Sequence, residues 1–169
     1  MVSRFITGQF IPTGILLFFL LSGISSFGQQ VIPISNLEST PSLLNESSGH
    51  NMERLRSLLY ELQPAAYFMD GTRSYHGDQA LVLYVDEQGL SAINQERNKL
   101  TEIELVSVEL QNPNSGFLNQ EVFRLLPGLK FIVFNCEACP ESQIRNMLRS
   151  WGQFLGDRVL IVYNTEIPN

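Results

Sequence analysis

Two segments of this chain are written on one pattern: Leu129-Lys-Phe-Ile-Val-Phe-Asn-Cys-Glu137 and, 29 residues on, Arg158-Val-Leu-Ile-Val-Tyr-Asn-Thr-Glu166. A fixed period of this length marks a strand-plus-crossover unit repeated in space. The same offset carries Val122, Leu125 and Leu126 onto Trp151, Phe154 and Leu155, so the segments leading into the strands match as well. Strands alternating with helical segments at this spacing pair in parallel through right-handed crossovers. The expected fold class is α/β: parallel strands with helical crossovers, arranged either as a short repeat-like solenoid or as a compact layered sheet.

The other elements follow from periodicity. Met52, Leu55, Leu58, Leu59 and Leu62 recur at spacings of three and four, which predicts an amphipathic helix ended by Pro64. The run Ala80-Leu-Val-Leu-Tyr-Val85 is too apolar for a half-solvated strand and reads as one buried on both faces. Ile103 to Leu105 and Val108 to Leu110 outline a strand, and Asn119 can cap a short helix through Leu126. Further strands are predicted over 129–135 and 159–164. Between them a helix over 141–155 carries the stripe Ile144, Met147, Leu148, Trp151 and Phe154. Residues 91–99 fit either a short helix or a turn. Asp70 to Asp78 reads as a polar surface turn, since its ligand spacing departs from that of a calcium loop.

Residues 1–28 have the form of a secretory signal: Arg4 is the positive end, Ile15 to Leu21 the apolar run, and Ser26-Phe-Gly28 the small-residue cleavage site. The apolar run is short of the roughly 20 residues that span a bilayer. Cleavage before Gln29 leaves a secreted or periplasmic protein with no membrane insertion. Residues 29–50, with Pro33, Pro41 and several serines, read as a flexible leader, and Asn45-Glu-Ser47 is a glycosylation acceptor by pattern. Residues 51–169 form a single α/β domain, repeat-like from about 100 to 168. The chain holds 17 acidic against 11 basic side chains, a balance that repels nucleic acid and anionic membrane surfaces.

On a common frame three units read Ile103-x-Leu105-x-x-Val108-x-Leu110, Phe131-x-Val133-x-x-Cys136-x-Ala138 and Leu160-x-Val162-x-x-Thr165-x-Ile167. This resembles the leucine-rich repeat pattern, with a period similar to that of the ribonuclease-inhibitor type. The resemblance implies a ligand face on the concave strand surface, which here is Glu102, Glu104, Lys130, Ile132, Phe134, Val159, Ile161 and Tyr163. The binding residues it singles out are Lys130, Ile132, Phe134, Val159, Ile161 and Tyr163. The apolar run of Ile132, Phe134, Val159, Ile161 and Tyr163 on such a face calls for a partner that covers it.

The one motif with chemistry is Cys136-Glu-Ala-Cys139, at the end of a predicted strand and the start of the strongest helix, and it holds the only cysteines. A helix N-terminus stabilises a thiolate, and two intervening residues permit a reversible disulfide. The placement is similar to the redox motif of thioredoxin-like proteins, which would make Cys136 the attacking and Cys139 the resolving thiol. Glu137 opposes that role, since its charge disfavours a thiolate. The two histidines, His50 and His76, have no metal-site spacing to the cysteines, and no motif implies a cofactor. The expected function is that of an exported, non-enzymatic domain that binds a protein or extracellular ligand. A thiol–disulfide oxidoreductase acting through Cys136 and Cys139 is the alternative.

Overall fold

The computed structural model describes residues 31–39, 51–111, 119–137 and 139–165. The expected signal segment 1–28, the acceptor at Asn45 and the frame positions Ala138 and Ile167 lie outside the described residues. The strands are β1 (Val31–Pro33), β2 (Ala65–Met69), β3 (Thr72–His76), β4 (Val82–Asp86), β5 (Leu105–Glu109), β6 (Phe131–Asn135) and β7 (Leu160–Asn164). The helices are α1 (Ser35–Ser39), α2 (Met52–Tyr60), α3 (Ile93–Glu96) and α4 (Glu141–Leu155), joined by short 3-10 turns. The strands form one sheet in the order β1-β7-β6-β5-β4-β2-β3, parallel throughout except for the β2–β3 hairpin. The molecule is a layered α/β fold.

The 29-residue repeat is the register of this sheet, because Phe131 pairs with Leu160, Val133 with Val162 and Asn135 with Asn164. Upstream the step is 26, since Leu105 pairs with Phe131. The frame that set Ile103 opposite Phe131 is therefore displaced by two residues. A slip of two keeps every side chain on its face of the pleat, so hydrophobic alternation cannot detect it.

The two sheet faces bury separate clusters. On one, Phe68, Val85, Val108, Ile132, Phe134, Ile161 and Tyr163 meet the crossovers, which supply Leu90, Ile93, Phe123, Ile144, Leu148 and Trp151. Trp151 packs edge-on to Phe134 with ring centroids 4.9 Å apart. The crossovers from β4 to β5, β5 to β6 and β6 to β7 all contribute to this same cluster. The opposite face sets Ala65, Val82, Leu105, Phe131, Val133, Leu160 and Val162 against Leu37 of α1 and Met52, Leu55 and Leu58 of α2. Of the two expected arrangements the layered sheet is the one present, with crossovers on one side and a second helical layer on the other.

Two expectations change here. Residues 31–39, expected within a flexible leader, form β1 and α1; β1 pairs in parallel with β7, and Ile34 N donates to Tyr163 O at 2.8 Å. Three residues with a proline among them are too short to show a period, and the β7 edge is what orders them. Residues 72–76, expected within a polar surface turn, form β3. Asp70 and Gly71 have φ of 51° and 69°, the pair of left-handed residues that a type I′ hairpin turn requires.

Polar side chains tie the layers together at their rims. Arg54 of α2 donates from Nε and Nη2 to the two carboxylate oxygens of Glu104, at 3.0 and 3.1 Å, and Lys130 Nζ adds a third contact at 3.0 Å. At the hairpin edge Glu96 accepts from Tyr75 Oη at 3.0 Å and from Arg73 at 3.2 Å, and it pairs with Lys99 at 2.8 Å. Burial, with this hydrogen bond second, pushes the Tyr75 hydroxyl up to about 12.

Two outcomes follow. Gly89 lies so close to β2 that an added Cβ would stand 1.9 Å from Phe68 O, whereas at Gly71 nothing lies within 4 Å and only the positive φ is strained. Gly89→Ala should cost about 3 kcal/mol and Gly71→Ala about 1 kcal/mol in urea unfolding; equal costs would deny the close approach. Arg54, first, and Lys130 hold the Glu104 carboxyl below its ordinary value. A depressed folded pKa gives stabilisation that is present above the unfolded value and lost as pH falls through the folded one. Glu104→Gln should therefore cost about 1 kcal/mol at neutral pH and flatten the loss of stability below roughly pH 4.5.

Candidate functional site

In a parallel sheet, ligands bind beyond the carboxyl ends of the strands, at the point where the connections leave toward opposite faces. Here that point is β7. On one side of it β1 passes into α1, whose Leu37 packs on the α2 face of the sheet. On the other side β6 passes through Cys136 into α4, whose Ile144 and Leu148 pack on the crossover face. The diverging chains leave a crevice of about 340 Å³ above β7.

Three elements line it. Pro33 to Asn36 form the wall from β1 into α1; Glu141 and Arg145 face it from α4; and Tyr163, Asn164 and Thr165 make the floor at the end of β7. Backbone bonds fix that floor on both sides, Ile34 N to Tyr163 O at 2.8 Å and Cys136 N to Asn164 O at 2.9 Å. The facing side is set by α4, a helix whose buried residues run from Ile144 to Trp151 and which stops at Gly156, where φ is 65°.

Tyr163 is buried, 1% exposed, and lines the crevice. Its hydroxyl donates to Glu141 Oε1 at 2.9 Å and accepts from Arg145 Nη2 at 3.0 Å. Arg145 also pairs with Glu141 four residues earlier on the helix, the favourable order for a first-turn acid. The three groups hold one another in their ordinary charge states. The Tyr163 hydroxyl, then Arg145, keeps the Glu141 carboxyl below its usual value. The same hydroxyl and Glu141 raise Arg145. Burial, then the bond to Glu141, raises Tyr163.

A second polar line crosses the strand ends on the α2 face, where Asp86, Glu109, Asn135 and Asn164 stand in register. Asn135 Nδ2 donates to Glu109 Oε1 at 2.7 Å and to Ser107 Oγ at 3.0 Å. Asp86 accepts from Gly89 N at 2.6 Å and Asp70 N at 2.7 Å, so it anchors the hairpin turn and the start of a crossover. Beside this line Tyr67 and Tyr84 stack with centroids 4.9 Å apart.

Of the six binding residues expected from the sequence, five lie in the core: Ile132, Phe134, Val159 and Ile161 are fully enclosed and Tyr163 nearly so. The reason is phase. The positions that alternate with Phe131, Val133, Leu160 and Val162 carry Ile132, Phe134, Ile161 and Tyr163, side chains bulky enough to pack under α4, so they face the crossovers and not solvent. Lys130 is exposed and paired with Glu104 at 3.0 Å. Of the six, only Tyr163 lines the crevice. Cys136 and Cys139 form a disulfide between β6 and α4, with the residues 1% and 6% exposed. Among the described residues no group of His, Cys, Asp and Glu could hold a metal ion, and no helix is long and apolar enough to cross a membrane.

Glu141 and Arg145 were missed, although a helix-pairing spacing directly after a strand end was there to be read. No protein family, curated protein or solved structure matches the chain. The Tyr163 hydroxyl is the first cause of the low Glu141 titration. In Tyr163→Phe and in Arg145→Ala alike the Glu141 carboxyl should titrate closer to an ordinary glutamate in carbon-detected NMR; an unchanged titration in Tyr163→Phe would remove the tyrosine from the network.

Proposed function

We propose that the chain is an exported interaction domain without catalytic activity, which holds the polar end of an extracellular ligand or partner protein in the crevice above β7. The observation that carries this reading is the crevice itself, open where the β1 and β6 connections part, with a paired Glu141, Arg145 and Tyr163 on its walls. A binding role suits that trio better than a catalytic one. A general acid or base works best with a pKa near the operating pH, whereas Glu141 is shifted down and Arg145 and Tyr163 are shifted up, all away from neutrality. Such groups present fixed donors and acceptors.

The thiol–disulfide alternative draws less support. Exchange needs a sulfur that another thiolate can reach, and both cysteines are enclosed, Cys136 within the cluster under α4. Their bond ties the end of β6 to the start of α4 and so steadies one wall of the crevice. Export rests on Arg4 and the apolar run from Ile15 to Leu21.

A fragment screen against ¹⁵N-labelled mature protein tests the reading. Amide shifts should gather at Ser35, Asn36, Glu141, Arg145 and Thr165, and Arg145→Ala should weaken the hits at least tenfold. Hits gathering instead around Tyr67 and Tyr84 would sink it.

A further inference from the structure

We infer that the crevice takes a neutral, polyhydroxylated ligand, the terminal unit of a saccharide; this deepens the binding reading above and rests on it. Glu141 and Arg145 both line the crevice and are paired with each other. An incoming carboxylate or phosphate would meet Arg145 but would also face Glu141, and an incoming ammonium would face Arg145. A like charge held that close is disfavoured whichever sign it has. A neutral ligand has neither cost.

Hydrogen-bonding chemistry narrows the class. Each sugar hydroxyl both donates and accepts, so a site for it must offer both functions side by side. Arg145 only donates and ionised Glu141 only accepts, while Ser35, Asn36, Asn164 and Thr165 carry groups that do both. Arg145 Nη2 and Glu141 Oε1 are committed to each other and to the Tyr163 hydroxyl, which leaves the other carboxylate oxygen as an acceptor and the remaining guanidinium N–H groups as donors for neighbouring hydroxyls on a ring. The apolar lining is confined to Pro33 and Ile34, too little to hold a hydrophobic peptide side chain.

Size sets the last bound. About 340 Å³ is at the small end of ligand sites and holds roughly ten waters at ~30 Å³ each, which suits one sugar ring. The Tyr163 ring is buried and its hydroxyl is engaged by Glu141 and Arg145, so no aromatic platform adds to affinity. A single ring should bind in the roughly millimolar range, with tighter binding left to longer chains or repeated contacts.

The test titrates the ¹⁵N-labelled mature protein with methyl glucoside, methyl galactoside and N-acetylglucosamine, and separately with sodium acetate, sodium phosphate and methylammonium chloride. At least one sugar should shift the amides of Ser35, Asn36 and Thr165 with a roughly millimolar constant, the charged probes binding those sites more weakly. Thr165→Val should weaken the sugar several-fold with the thermal transition unchanged. A charged probe binding the crevice more tightly than every sugar would overturn the ligand class and leave the binding role standing. Sugars that fail to shift these amides, while other fragments do, would have the same meaning. Silence from every probe and every fragment would remove both.

Discussion

The structure depends on a sheet whose central strands are apolar on both faces. Val106, Ile132 and Ile161 point one way; Leu105, Phe131 and Leu160 point the other; all are buried. Such a sheet cannot leave either face in water, so it recruits two layers from different parts of the chain. The crossovers between β4 and β7 build one layer from local sequence. The other has to come from α1 and α2, which precede the parallel run, and its attachment is reinforced at the rim by the two-pronged bond from Arg54 to Glu104.

Much of the local architecture was legible in the sequence. The 29-residue repeat is the β6–β7 register, α4 has its expected bounds, and Asn119 caps the short turn before β6 by accepting from Glu121 N. Other features were legible but underread. Asp70-Gly71 between Ala-Ala-Tyr-Phe-Met69 and Thr72-Arg-Ser-Tyr-His76 is a hairpin signal, hidden by the polarity of the second strand, whose residues are all exposed at the sheet edge. The β1 strand could not be read at all, because three residues carry no period and their order depends on β7, some 130 positions away.

Which face of the repeated strands meets solvent was the harder matter. Alternation sorts residues into two sets and does not say which set is covered, and here both are apolar. The leucine-rich repeat resemblance supplied a phase, and packing chose the other: with Phe134 and Trp151 in edge contact and Ile161 beneath the same layer, the crossovers claim the set expected to bind. What followed for the site was a change of place. The candidate site lies not on the faces of the strands but at their ends, where the chain holds the polar groups of Asn164, Thr165 and Glu141.

The crevice is a consequence of covering both faces with one chain. If every strand left toward the same side, its successor would pack against the last and close the strand ends. Because β1 must feed the α2 layer while β6 feeds α4, the two connections separate above β7 and cannot pack on each other. The polar ends of three elements then face a shared space whose floor is tied down by backbone bonds on either side. Burial of Tyr163 completes it: the ring belongs to the core, so the hydroxyl is held where Glu141 and Arg145 can both reach it. The same side chain thus contributes to stability through its ring and to the site through one oxygen. A charged residue at position 163 would therefore fail as a probe of binding, since it would disturb the core first, and only removal of the oxygen separates the two roles.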